Sequence, residues 1–309
     1  MNLPSPSRWV LVCWLLGCCA FAGCSRSGQG TIDVPEKPGD DPLDPPRAVV
    51  RKALDPPDYY AALELVNKHL NNQPDALARF DPPDRAAFRQ LLTERLALDE
   101  DEMNEVDNPR FTPLDAHHLA FCFLLRDAAR SLRLPERTDA TAADKTAQAL
   151  HQARVAFDWT VRQVLLEEKG GDLRPPQFVL PEGRGGSRER ALVFLALLHQ
   201  LGLDGCMIAF PADGSEALNY RLAGVLLPGE GGGIYLFDPK LGVPLPAPKG
   251  KGVATLDQFR APKEQKEIFA QLNLDDTYRY DITPEQATKG EVHLVFPLSA
   301  LSTRMRYLE

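Results

Sequence analysis

The sequence predicts an α+β protein in which an N-terminal helical region precedes one buried helix and an antiparallel sheet. Three observations lead to this prediction. Apolar residues recur at helical spacing up to about residue 170, and residues 188–201 are apolar on nearly every side. Beyond them, short apolar runs alternate with turn sequences. The chain has 309 residues, 44% of them hydrophobic, which is enough for one or two domains with substantial cores.

Residues 1–23 have the layout of an export signal, because a polar start precedes an apolar stretch that ends in small residues. That stretch is shorter than the roughly 20 residues that span a membrane. The segment FAGC, ending at Cys24, resembles a bacterial lipobox, which implies a lipid on Cys24. LLGC, ending at Cys18, is a competing match, and simple secretion or a retained anchor are alternatives. We expect an exported, membrane-anchored lipoprotein facing the periplasm or the cell exterior.

Residues 24–47 predict a disordered tether, since they contain many Pro, Gly and Asp residues and almost no large apolar side chain. A helical region is predicted at 48–150, and a core with a C-terminal extension at 151–309. Only two cysteines, Cys122 and Cys206, lie in this body of the protein, each in an apolar run. Both are expected to be buried thiols; a disulfide between them is possible but has no special support.

Four helices are expected in the helical region and just after it. Tyr60, Leu63, Val66 and Leu70 share one helical face, and FRQLLTERLAL predicts a second helix. A third helix begins near Pro113. The fourth covers 145–168 and ends at a Gly-Gly pair. The acidic run 99–102 lacks the alternate spacing of a calcium loop, so it predicts a solvated helix end or loop.

The strands of the predicted sheet are short runs rich in large apolar and β-branched residues: CMIAF, YRLAGVLL, GIYLF and VHLVF. The turns between them read PADGSE, PGEGGG and DPKLG. The segment GEGGG lacks the Lys-Ser/Thr pair and the following helix of a phosphate-binding loop, so it predicts a hairpin tip. The tail after Pro297 receives no predicted role.

Three motifs in this order resemble the transglutaminase-like domain, a relative of the papain-type cysteine hydrolases. AFDWTVRQVL resembles the helix before the family's active site, and GGSRERALVFLALLHQLGLDGCMIA resembles its nucleophile helix. YLFDPKLG resembles the strand that ends in Asp-Pro. The segments ERALVFLALLHQLGLDGC and YLFDPKLGVPLP also resemble planctomycete proteins of this type. The resemblance covers about residues 153–246 and implies a core of one buried helix packed on an antiparallel sheet.

The family's catalytic residues can be carried over position by position. Its nucleophilic Cys falls on Ser187, its His falls near Tyr220 or Arg221, and its Asp falls on Asp238. Only the third member of the triad is therefore retained. A serine hydroxyl ionises far less readily than a thiol and needs a nearby base. His199 cannot serve, because it lies about 18 Å down the same helix.

Each candidate residue also has a purely structural interpretation. Ser187 is expected to be the N-cap of its helix, with Gly185 and Gly186 allowing the sharp turn before it. Cys206 is a rival nucleophile, but no helix N-terminus or nearby His supports it, so a core thiol is expected. Asp238 begins an Asp-Pro turn and is expected to hold a loop.

The expected function is that of a non-catalytic envelope lipoprotein acting in binding or assembly. Its partners would be the membrane, through the lipid on Cys24, and an envelope protein or peptide ligand. The net charge of −8 argues against nucleic acid. No metal or other cofactor is expected, because adjacent residues such as the histidines at 117–118 point in different directions.

Two alternatives remain open at this stage. One is a hydrolase or acyl transferase that uses Ser187 and Asp238 with a base from elsewhere in the chain. The base would be one of the three histidines of the helical region and its border, His117, His118 and His151. The other is a structural envelope protein that docks a partner through the helical region.

Overall fold

The computed structural model describes residues 58–308, except for 79–80, 83, 136–140, 168–172, 213–217, 230, 274–277 and 296–300. The predicted export signal, the tether, Cys24 and Cys18 all lie outside the described residues. Within the part of the chain that is described, no helix is both long and apolar enough to cross a membrane.

Helices and strands occur in an order that confirms the α+β class. The described helices are α1 (Tyr59–Asn72), α2 (Arg85–Leu96), α3 (Glu100–Asp107), α4 (Pro113–Leu132), α5 (Ala142–Gln163), α6 (Pro176–Glu182), α7 (Ser187–Gln200), α8 (Leu256–Arg260), α9 (Pro262–Leu272), α10 (Pro284–Thr288) and α11 (Thr303–Leu308). The described strands are β1 (Leu165–Leu166), β2 (Arg184–Gly185), β3 (Asp204–Pro211), β4 (Leu218–Leu227), β5 (Gly233–Asp238), β6 (Val243–Pro244) and β7 (Glu291–His293).

The chain divides into two compact units. In described residues, the first contains 58–120 together with 301–308, and the second contains 121–295. The division falls within α4, whereas the predicted boundary of the helical region is at residue 150. The C-terminal tail belongs to the first unit.

The first unit is helical, and its core combines α1, the start of α4 and α11. Its buried apolar residues are Leu63, Val66, Leu70, Leu77, Phe111, Ala116 and Tyr307. The expectation that Tyr60 shares the buried face of α1 is wrong, since its side chain is 50% exposed. The acidic run opens α3, where Asp99 and Glu102 form a reciprocal capping box. A solvated helix end was therefore the correct interpretation.

The fourth predicted helix ends earlier than expected. Helix α5 stops at Gln163, and the next residues form β1, which pairs in parallel with β2. The guanidinium of Arg190 donates two bonds to the carbonyl oxygen of Val164, the residue that closes α5. Tertiary contacts thus override the helical pattern at 164–167, and the predicted ending at the Gly-Gly pair is wrong.

The second unit is built on an antiparallel sheet in the order β6-β5-β4-β3-β7. One face packs against α5 and α7, where the rings of Phe157, Phe194 and Phe237 lie 5.0–5.2 Å apart. The other face packs against residues from 245–287, which include α8, α9 and α10. Because α7 is apolar on nearly every side, it can be covered on several sides at once. The predicted buried helix and antiparallel strands are confirmed.

Candidate functional site

The helix that carries Ser187 begins one residue away from the predicted cap. Gly186 is the N-cap of α7, and Ser187 is the first helical residue. The Gly186 N–H donates to the carboxylate of Glu189 at 2.7 Å, and Ser187 lies inside the helix, one residue past the cap position. Ser187 is half-buried, and no hydrogen bond of its hydroxyl is recorded among the described residues. The prediction that Ser187 caps the helix is wrong.

The entry to α7 is fixed by an ion-pair network around Arg174. Its side chain donates to Glu189 at 2.9 Å and to Glu167 at 2.9 Å, and it also bonds Glu182. The backbone N–H of Arg174 donates to Glu189 as well, at 2.8 Å. Burial acts to raise the pKa of Glu189, but the bonds from Arg174 and Gly186 outweigh it and hold that pKa below its usual value. Glu189 is therefore a buried, charged anchor of the helix start.

Gly185 allows the chain to approach that anchor closely. A Cβ atom at this position would lie 2.9 Å from Oε2 of Glu189 and 2.9 Å from Cγ1 of Val179. Both distances are shorter than a carbon atom tolerates, so only glycine fits without a shift of its neighbours. Gly185 thus has a packing role, in addition to the turn that the sequence predicts.

Strand β4 contains a β-bulge at Tyr220 and Arg221, the two residues onto which the His position of the resembled family falls. Ile208 pairs with Leu222 and Ala209 pairs with Tyr220, so Arg221 is the extra residue of β4. The bulge turns Tyr220 toward α7 and Leu222 toward the opposite face. Tyr220 consequently contacts His293 and Arg188, whereas Arg221 binds Asp281.

Tyr220 contacts a buried imidazole and a cation. Its hydroxyl lies 3.2 Å from Nδ1 of His293, and the guanidinium of Arg188 lies 5.2 Å from the centre of its ring. Burial raises the pKa of the Tyr220 hydroxyl, against the opposing effect of Arg188. Nε2 of His293 lies 3.3 Å from a carboxylate oxygen of Glu291. The result is a hydroxyl–imidazole–carboxylate series on the α7 face of the sheet.

His293 was not among the candidates from the sequence, although VHLVF was predicted as a strand. It is 1% exposed, and its strand β7 pairs with β3, where His293 stands opposite Met207. Tyr220 lies 73 residues away in sequence. Only the strand order of the sheet brings the two rings together, and no local pattern predicts that order.

A small apolar recess lies beside Tyr220. The residues that line it are Leu173, Arg188, Leu192, Met207, Tyr220 and Val295. Arg188 is the charged member of this lining and directly follows Ser187. The recess therefore brings together a cation and an aromatic ring, and that cation is the residue that follows Ser187 in the sequence.

Asp238 lies at the end of β5, and its carboxylate closes the turn that follows the strand. One carboxylate oxygen accepts from the backbone N–H groups of Lys240 and Leu241, at 2.8 and 2.9 Å. The other accepts from the Tyr280 hydroxyl at 2.7 Å. Burial raises the pKa of Asp238 and prevails over these donors. These contacts agree with the expectation that Asp238 holds a loop.

In the described parts of the chain, none of the remaining candidates forms a hydrogen bond or ion pair with Ser187. Cys206 is fully buried, and burial raises the pKa of its thiol to about 12, as befits a core residue. Neither Cys206 nor Cys122 forms a disulfide with another described residue. His117 and His118 lie on the part of α4 that belongs to the first unit, and His151 is an exposed residue of α5. Among the described residues, no group of three His, Cys, Asp or Glu side chains could hold a metal ion.

No protein-family model, curated protein or solved structure matches this chain. The chemistry of the site is therefore argued from its own contacts.

Proposed function

We propose that this chain is a non-catalytic, transglutaminase-like envelope lipoprotein that acts in binding or assembly. The observation that carries the proposal is the set of partners at the family's triad positions. The Tyr220 hydroxyl contacts His293, and Asp238 contacts Tyr280 and its own turn. Neither contact involves Ser187. The residues at the base and orienting positions thus form hydrogen bonds with other groups and not with Ser187.

The physical argument is that a serine hydroxyl needs a base before it can attack. A base must come within hydrogen-bond reach of the hydroxyl, and His is the usual choice near neutral pH. Tyr220 stands at the position of that His, and burial raises the pKa of its phenol hydroxyl further. A protonated phenol cannot accept the serine proton as an imidazole would.

The transglutaminase-like part of the proposal is supported by the order of the elements. Helix α5 precedes the Gly-rich entry, the buried helix α7 follows it, and the antiparallel strands β3 to β5 come next. The lipoprotein part depends on the export signal and Cys24, which are properties of the sequence alone. A lipid anchor would keep the α5–α7–sheet core at a membrane surface, where an envelope protein or peptide is the expected partner.

A serine-directed fluorophosphonate probe tests the absence of catalysis. We expect no labelling of Ser187 in the folded chain, mapped by peptide mass spectrometry, because no base activates it. Ser187→Ala and Ser131→Ala serve as a matched pair, since Ser131 is an exposed serine on α4. Labelling that Ser187→Ala abolishes and Ser131→Ala preserves would contradict the proposal.

A gain-of-function variant tests the degenerate site directly. Ser187→Cys combined with Tyr220→His restores the family's nucleophile and base at the carried-over positions. We expect the double variant to acquire acyl-transfer or hydrolytic activity on amide or ester substrates that the natural chain leaves unchanged. Ser187→Cys alone is the control, because it supplies a thiol without the base.

One observation favours a second candidate function, a hydrolase with Ser187 as nucleophile. His293 is a buried imidazole on the sheet face that packs against α7, and Glu291 orients it as a third group would. In that case, fluorophosphonate labelling would require both Ser187 and His293 and would disappear in His293→Gln. Docking of a partner through the helical region stays a prediction.

A further inference from the structure

Two cations from different elements bind the same carboxylate oxygen. The guanidinium of Arg221 lies 2.8 Å from Oδ2 of Asp281, and the ammonium of Lys240 bonds that same oxygen. Burial acts to raise the pKa of Asp281, but the bonds from Lys240 and Arg221 outweigh it and lower that pKa. The three side chains together carry one excess positive charge.

Both cations are placed by the backbone. Arg221 is the extra residue of the β4 bulge, a feature that re-aims a side chain away from the regular sheet pattern. Lys240 stands in the turn that the Asp238 carboxylate closes through the Lys240 and Leu241 N–H groups. The backbone therefore directs both side chains to the same place before any ligand arrives, where both reach Asp281.

The carboxylate between them is held through its neighbour. Tyr280 donates its hydroxyl to Asp238 at 2.7 Å, and its backbone N–H donates to the Asn273 side chain at 2.8 Å. These two bonds fix the chain at Tyr280 and thereby position the next residue, Asp281, beside the two cations. Asp281 thus pairs with both cations from a position that the contacts of Tyr280 fix.

The ion pairs of Asp281 are open to exchange. The side chains of Arg221, Lys240 and Asp281 are 18%, 47% and 32% exposed. Exposed ion pairs contribute little net stability, so a competing carboxylate can displace Asp281 at small cost. Arg221 uses one recorded bond to Asp281, whereas a guanidinium fork can bind a carboxylate through two. A ligand can therefore gain a bond that the internal carboxylate does not make.

We propose that Arg221 and Lys240 form a binding site for a carboxylate group of a peptide ligand, and that Asp281 is its internal competitor. The ligand carboxylate is an Asp or Glu side chain or a free C-terminus. The choice of a peptide ligand deepens the proposed binding role and rests on it. The two-cation site itself requires only the geometry of Arg221, Lys240 and Asp281.

Fluorescence anisotropy of a labelled triglutamate peptide at low ionic strength tests this site in the full chain. Removal of the competitor in Asp281→Asn is expected to tighten binding roughly 10-fold relative to the natural chain. Asp257→Asn is the matched control, because it removes an exposed carboxylate of the same unit that is not paired with either cation. A labelled triglutamine peptide with an amidated C-terminus has no carboxylate and controls for binding that does not depend on one, while triglutamine with a free C-terminus tests the terminal carboxylate alone.

Two double variants identify the binding groups. Arg221→Gln and Lys240→Gln, each combined with Asp281→Asn, are expected to lose the gain in affinity. The site is overturned if Asp281→Asn binds no tighter than Asp257→Asn, or if the gain survives Arg221→Gln. Thermal unfolding of every variant verifies that it is folded, and a misfolded double variant is replaced by Arg221→Lys. Its expected loss of affinity is smaller, because lysine keeps the charge and lacks the fork.

The failures of the two proposals are distinguishable. Ser187-dependent labelling by the fluorophosphonate probe would contradict the non-catalytic function and leave the anisotropy result standing. Absence of any carboxylate-dependent binding would overturn the two-cation site and leave the absence of catalysis untouched.

Discussion

Glu189 and Asp238 are both buried carboxyl groups, yet their surroundings shift their pKa values in opposite directions. For both groups, burial is the largest influence and acts to raise the pKa. Glu189 also binds the charged side chain of Arg174, and the combined bonds reverse the effect of burial. Asp238 is bonded by the neutral donor Tyr280 and by two backbone N–H groups, and for this group burial prevails. Asp238 is also the more deeply buried of the two, so the opposite directions reflect both the depth of burial and the charge of the donor.

Replacement of Glu189 by Gln should change the pH dependence of stability. The folded-state pKa of Glu189 lies below its ordinary value of 4.5, so the unfolded chain binds more protons as the pH falls past that value. The stabilisation is therefore complete above this value and is lost toward lower pH. We expect Glu189→Gln to lower the free energy of unfolding by about 2 kcal/mol at neutral pH. Urea unfolding of the second unit, followed by Trp159 fluorescence across the acidic range, measures the difference.

The control for this prediction is Glu182→Gln. Glu182 also pairs with Arg174, but its side chain is 49% exposed, so we expect an effect below about 1 kcal/mol. Asp238, whose folded-state pKa is raised, contributes with the opposite sign in both variants and cancels in the comparison. A Glu189→Gln deficit that stays constant as the pH falls below about 4 would contradict the argument.

Single residues also show how far the sequence could predict the site. The strand containing His293 and the helix beginning near Ser187 were both predicted from local patterns. The contact between His293 and Tyr220 was not, because it depends on which strands are neighbours. The cap is Gly186 rather than Ser187, and the Glu189 carboxylate accepts from the Gly186 N–H there. Local preference for serine at a cap cannot anticipate that competition.

At the scale of elements, several long periodic segments were predicted well, whereas the short helices and the 11-residue helix α9 were missed. Helices α1, α4 and α7 agree with the expected positions, because each has an apolar face several turns long. Helices α8 and α10 have only five residues each. Their starts nevertheless carry a signal, since Thr255 with Gln258 and Thr283 with Gln286 form capping boxes. These Thr-x-x-Gln pairs would have revealed both helices.

The entry to α7 provides a prediction that depends on shape alone. Gly185→Ala should destabilise the second unit by about 1–3 kcal/mol, because its Cβ would meet Glu189 and Val179 at 2.9 Å. The neighbouring Gly186 has room for a Cβ, whose nearest atom would be 3.8 Å away, and its φ of −69° suits any residue. Gly186→Ser should therefore remain within about 0.5 kcal/mol of the natural chain.

The midpoint of thermal unfolding and the amide exchange of α7 measure both glycine variants. Equal stability of Gly185→Ala and Gly186→Ser would show that the close approach at residue 185 relaxes without cost. A specific deficit in Gly185→Ala would show that the Glu189 anchor depends on the missing side chain.

At the scale of the whole molecule, the first unit is assembled from distant parts of the chain. Arg304 of α11 is 1% exposed and binds the buried carboxylate of Asp115 at 3.0 Å, across 189 residues of sequence. It also donates to the backbone carbonyls of Glu105 and Asn108. The tail after Pro297 had no predicted role, because a contact over such a separation leaves no local pattern. The predicted boundary at residue 150 also differs from the division at residue 121. That division lies inside α4, which is one continuous helix, so no break in the local sequence pattern marks it.

Loss of the Arg304 side chain should weaken the first unit strongly. Arg304→Met leaves Asp115 buried without its cation, and we expect a loss of about 3–5 kcal/mol. Arg89→Met is the control, because its pair with Asp107 is half-exposed and should contribute less than about 1 kcal/mol. Hydrogen exchange of α1 and α3 amides measures the effect, and β3 and β4 amides of the second unit provide an internal reference. Unchanged protection of α1 and α3 in Arg304→Met would contradict the prediction.

The split of the first unit between 58–120 and 301–308 sets an order of events during synthesis. Residues 121–295 leave the ribosome as one uninterrupted stretch, before the segment that contains Arg304. At typical rates of translation, Arg304 is made roughly 10–40 s after Asp115. The part of the protein that is translated first is thus the part that is completed last.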